Sequence, residues 1–207
     1  ASDEGDVSQS FEIEVRNLAA PQSNLGNFLD SQALDFEPAD YTFDLITTTN
    51  SYEFQYTVKP DDTNLSIQEK LSRLFNHSGV GLNAEIITDE KGRSALMLTS
   101  KQTGLSDSES VLFDIKPKAS TDSIEAMETL GIHHITSPAQ NASFILDGEE
   151  HTSYSNTFTV NQVFEVTLRG ISPEDDPARI GFKTSIDAVS DNLNELADAY
   201  NSFIETG

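Results

Sequence analysis

The chain has 207 residues, enough for one large domain or two small ones with cores of their own. Thirty-five acidic residues against twelve basic ones give a formal charge of −23, which repels phosphate backbones and anionic lipid and excludes nucleic acid and membrane surfaces as partners. With no cysteine there are no disulfide staples, thiolate metal centres or cysteine catalysis, and no stretch approaches the roughly 18 apolar residues of a membrane span.

Residues 1–10, rich in Ser, Asp and Gly, read as a disordered lead-in. Phe11 to Arg16 alternates strictly and predicts a half-buried strand. Residues 17–40 carry two prolines and no clear period, so mostly loop is expected there. Tyr41–Leu45 and Tyr52–Val58 alternate again and read as a hairpin turning at Asn50-Ser51. Ser66-Ile67-Gln68-Glu69 has the form of a capping box, after which Ile67, Leu71, Leu74 and Phe75 share a helical face that stops at Gly79.

Strands are expected over 82–88 and 94–100, around an Asp89-Glu90-Lys91-Gly92 turn, and over 111–115. A short helix capped by Asp122 or Ser123 should end at Gly131. Strands over 144–146 and 163–168 follow, then an acidic loop from Pro173 to Pro177. Ile186, Val189, Leu193, Leu196, Tyr200 and Phe203 are spaced 3, 4, 3, 4, 3, a heptad seam. That seam reads equally as an oligomerising coiled-coil leg or as an amphipathic helix lying on its own domain. The chain opens on Ala1 without Met and ends within this pattern, so an excised fragment is expected.

The expected fold is α+β and mainly antiparallel β: two small β-rich domains with short helices, then the start of a long C-terminal helix. Residues 11–40 plus 139–183 would form one domain and 41–138 the other, with two consecutive domains as the alternative.

The sequence offers little chemistry. No G-x-S-x-G elbow accompanies its Ser, His and Asp residues, so no catalytic residue is assigned. His133 and His134 are adjacent and would point to opposite faces of a strand, while His77 and His151 stand apart. No metal ligand set is assigned on that ground. Asp61-Asp62 and Glu174-Asp175-Asp176 lack the spacing of a calcium loop. No cofactor is expected.

Three stretches resemble one family. The first is Phe11-Glu-Ile-Glu-Val15 running on to Leu18-Ala19-Ala20-Pro-Gln22. The second spans 41–104: a hairpin, a helix ending Leu74-Phe75-Asn76, then Gly79-Val80-Gly81-Leu82-Asn83-Ala84 and Leu96-Met97-Leu98-Thr99-Ser100 through Thr103-Gly104. The third is Asn141-Ala142-Ser143-Phe144 to Asp147-Gly148, then Ser155-Asn156-Thr157 and Val166-Thr167-Leu168. Their order resembles the outer domains of flagellar hook-associated protein 2, the filament cap, with Phe75 for the usual Ile, Asn141 for Asp and Glu165 for Gly.

The resemblance implies a secreted, extracellular structural protein at the tip of the bacterial flagellum. It implies a homo-oligomeric ring on terminal coiled-coil legs that supports flagellin insertion through protein contacts. A surface-exposed adhesin with a host surface as partner, another hook-associated or flagellin-like protein, and a secreted hydrolase are the alternatives.

Overall fold

The computed structural model of the protein describes residues 10–160, 162, 164–173 and 176–181. In chain order its elements begin β1 (Ser10–Asn17), β2 (Pro21–Leu25), β3 (Leu29–Asp30), β4 (Asp40–Thr47), β5 (Ser51–Thr57), α1 (Asn64–His77) and β6 (Leu82–Thr88). They continue β7 (Arg93–Thr103), β8 (Phe113–Pro117), α2 (Thr121–Leu130), β9 (Ala142–Leu146), β10 (Glu149–Ser153), β11 (Thr157–Val160), β12 (Phe164–Thr167) and β13 (Ala178–Gly181). All pairings between these strands are antiparallel, so the described residues are α+β with β dominant. The heptad positions Ile186, Val189, Leu193, Leu196, Tyr200 and Phe203 lie outside the described residues.

The smaller of two cores forms where β1 alternates. Phe11, Ile13 and Val15 turn inward, and β1 lies between β9 and β13 in a sheet of order β10-β9-β1-β13. Asp147 and Gly148 link β9 to β10 with φ of 49° and 87°. Such a two-residue turn matches the twist of the strands it joins and favours Asp-Gly. The Asp147 carboxylate also accepts the Glu12 amide at 2.8 Å, tying the turn back to β1. The β11–β12 hairpin covers this sheet with Val160, Val166 and Leu168, and Phe144 stacks on Phe158 at 4.5 Å.

The larger core lies between a β5-β4-β8 sheet and a β2-β7-β3 sheet to which β6 adds, with both helices packed against it. The hairpin register sets Phe43 opposite Phe54 and Tyr41 opposite Tyr56. The helix α1 brings Phe75 onto Phe43 and Phe54 at 5.8 and 5.4 Å.

The structure departs from expectation at four points. Residues 17–40 lie mostly outside strands, as expected, but the segment also holds β2 and β3, which both pair with β7. These pairings carry 21–30 into the β7 sheet of the larger core, whereas β1, at the head of the 11–40 segment, joins β9 and β13, and Ala20 bridges Gln140. The cap of α1 is Thr63, with Ser66 at its third position completing the reciprocal bonds, one turn ahead of the Ser66–Glu69 motif. Likewise Ser120, not Asp122 or Ser123, caps α2, which Gly131 closes as expected.

Asp62 sits beside the α1 cap. Burial pushes its carboxyl up, but Lys70, the Lys59 amide and the Ser66 hydroxyl together hold it down at about 2, against an ordinary 3.8. A depressed carboxylate stabilises the fold fully above 3.8 and loses that contribution as pH falls through about 2. Asp62→Asn is therefore expected to flatten the acid limb of stability over this window. Denaturant midpoints measured across it should show a shallower slope in the variant, and equal slopes would contradict the account.

Candidate functional site

The family-like motifs, far apart in sequence, meet where the two cores touch. Asn156 uses both ends of its amide on one residue, accepting the Ala19 amide at 2.7 Å and donating to the Ala19 carbonyl at 2.9 Å. Asn141 does the same for Leu105, at 2.6 and 3.0 Å. Such a pairing imitates a strand ladder and needs a donor as well as an acceptor. An Asp at 141 would leave the Leu105 carbonyl without that donor, so the departure from the family pattern has a local reason.

Gly104 lies against the Asn141 amide and the Tyr154 backbone. Its φ is +70°, and a Cβ there would stand 2.5 Å from both Cα and O of Tyr154 and 2.7 Å from Oδ1 of Asn141. Thr103 Oγ1 donates to the Tyr154 carbonyl at 2.7 Å, and the Gly104 amide donates to the Ala20 carbonyl at 3.2 Å. The backbones of the two cores thus pass at contact distance, which fixes their relative orientation. Beside this joint an open cleft of about 380 Å³ is lined by Lys101, Gln102, Glu109, Tyr154 and Ser155 among others. Tyr154 is half exposed there.

The Leu74-Phe75-Asn76 helix end has its own task. The Asn76 amide accepts the Ala84 N–H at 2.9 Å and donates to the Ala84 carbonyl at 2.8 Å, binding the end of α1 to β6. Phe75 beside it fills the larger core with no exposed surface.

Polar burial organises β2. Gln22 is 1% exposed; its Oε1 accepts the Leu112 amide at 2.8 Å, and its Nε2 donates to Phe113 O and Asn24 Oδ1. Asn24 in turn donates to the Ile132 carbonyl. The network ties β2 to the start of β8 and to the turn after α2.

Titratable groups with displaced pKa values are dispersed. Burial, then Tyr41, raises Tyr56 inside the larger core. Burial, then Asp122, Glu37 and Glu125, raises Tyr41 in an acid-lined recess of about 230 Å³. Lys118 donates hydrogen bonds to Glu53 and Asp44 on the outer face of β4 and β5, and these raise it. At Asp89, burial is outweighed by bonds from Arg93 and Lys91, and the carboxyl is lowered in its turn. Each shift is explained by the ion pair, turn or core in which the group sits.

The histidine pair differs from expectation. His133 and His134 lie in a turn after Gly131, not in a strand, and their rings stand on the same side with centroids 3.8 Å apart. With Glu128 from the last turn of α2 they place three ligand-type atoms within 4.8 Å of one another. The premise that they face opposite ways, on which no metal ligands were assigned, does not hold.

No family model and no curated protein matches the sequence. Solved structures do match. The D2-D3 domains of the flagellar cap protein FliD from Serratia marcescens superpose with a TM-score of 0.64 at 16% identity, covering 88% of this chain and 97% of that one. The D1-D2-D3 domains of the FliD cap protein from Escherichia coli give 0.68 at 17%, covering 97% of this chain and 58% of the other. FliD (HAP2) from Pseudomonas aeruginosa gives 0.65 at 17%, with 98% and 92% covered. A likeness at such identities is one of fold, and the chain accordingly has the fold of the D2-D3 domains of flagellar cap proteins.

Proposed function

We propose that this protein is part of a flagellar filament cap, exported to the filament tip, where a ring of copies supports flagellin insertion by contact rather than by bond chemistry. The observation that carries this reading is the fold match to the Serratia marcescens D2-D3 domains, which spans 97% of that chain. The convergence of three family-like motifs on the joint between the cores supports it, because those motifs then serve one geometric purpose. The charge of −23 suits a solvated exported surface. Ile186, Val189, Leu193, Leu196, Tyr200 and Phe203 would form the leg helix that holds the ring together.

Deletion of the gene in its own bacterium is expected to abolish filaments and release unassembled flagellin into the medium. The intact gene should restore filaments, and Leu193→Asp or Leu196→Asp should restore them poorly while the two cores stay folded. Normal filaments in the deletion strain would overturn the proposal. If filaments form but binding to host cells is lost, the adhesin reading takes its place.

A further inference from the structure

We infer that Glu128, His133 and His134 form a binding site for a divalent transition cation of the zinc class. The inference stands apart from the assembly reading, since it rests on one turn of the larger core.

The turn is built rigidly. Gly131 closes α2, and the His134 amide returns to the Gly131 carbonyl at 3.2 Å. Asn27 donates to the Glu128 and Thr129 carbonyls at 2.8 and 3.1 Å, and its own amide bonds the Leu130 carbonyl at 2.8 Å. Ile132 is fully buried, and Thr136 and Ser137 both bond the Ser23 carbonyl. The two histidines are therefore held between anchored neighbours, so little ordering remains when a ligand arrives.

The geometry suits a metal better than a hydrogen bond. His133 Nε2 and Glu128 Oε1 stand 3.4 Å apart. That exceeds the roughly 2.7–3.2 Å range of an N–H···O bond. It equals the separation of about 3.4 Å between two ligands held at about 2.1 Å on a tetrahedral centre. The Nδ1 atom of His133 is buried without a partner, which leaves Nε2 as the nitrogen open toward Glu128. The exposed His134 ring lies 3.8 Å from that of His133 and supplies the third ligand. Water would take the fourth position.

Ligand chemistry selects the ion. Two imidazoles and one carboxylate suit zinc, nickel or copper, whereas calcium and magnesium require several oxygens. The carboxylate offsets part of the divalent charge, and the end of α2 presents the negative pole of its helix to the cation.

The test is zinc titration of the 207-residue chain by calorimetry at neutral pH, with imidazole proton shifts followed by NMR. One equivalent should bind, shifting the His133 and His134 signals and leaving those of His77 and His151 in place. His134→Ala, at an exposed position, should weaken binding at least about tenfold. Glu128→Gln should weaken it too, while a His77→Ala, His151→Ala double variant should bind as the parent does. Copper should bind more tightly than zinc, and excess calcium should not displace it. Unchanged affinity in His134→Ala, or ready displacement by calcium, would overturn the inference. If His133→Ala fails to fold, His134→Ala and Glu128→Gln decide the matter.

Discussion

Phe75→Ala is expected to lower the stability of the larger core by about 4 kcal/mol. The side chain is wholly buried and stands between Phe43 and Phe54, so its removal opens a void that neighbouring rings cannot close without leaving their rotamers. Loss of transferred surface and loss of the aromatic contacts act in the same direction. Phe75→Ile, which restores the residue usual in the resembled family, keeps much of the volume and should cost about 1–2 kcal/mol. Urea midpoints at constant slope give both values. A midpoint for Phe75→Ala within error of the parent would show that the three rings do not form the centre of the core.

Gly104→Val is expected to uncouple the two cores at a cost of about 3 kcal/mol. A Cβ would meet backbone atoms of Tyr154 at 2.5 Å, and the positive φ adds strain of its own. Backbone cannot move aside as a flexible side chain can, so the smaller core must draw away. Relief is bounded by what the joint itself contributes: the Asn141–Leu105 amide pair, the Thr103–Tyr154 bond and the Gly104–Ala20 bond. Each core keeps its own sheets, so the variant should unfold in two steps and admit protease between the cores. Gly104→Ala should behave similarly, because the collision is already present at the first side-chain carbon. A single transition at the parental midpoint would refute the tight joint.

The sequence was most legible where an apolar residue falls at every second position. Phe11-Ile13-Val15 and the Tyr41–Val58 hairpin show their inward faces directly, and the structure buries those residues. In β2 the same alternation is present, but Gln22 and Asn24 occupy the inward positions. Their amides are satisfied by partners about 90 and 108 residues away, a signal invisible to local periodicity. β10 has no buried residue at all and exists because Asp147-Gly148 reverses the chain beside β9. Gly104, Asn141 and Asn156 could be marked by resemblance, yet their purpose appears only when chain segments up to 137 residues apart meet. His133 and His134 were misplaced because a strand period was applied to a turn.

The first and last described strands lie side by side, with Ser10 opposite Gly181. Residues 20–140 depart from the smaller core and return to it through the Ala20–Gln140 bridge. Tension applied through the two ends would therefore open the β1–β13 ladder one rung at a time, like a zip, instead of shearing all rungs together. None of that load would travel through the larger core, which hangs from the smaller one as a mechanically idle payload.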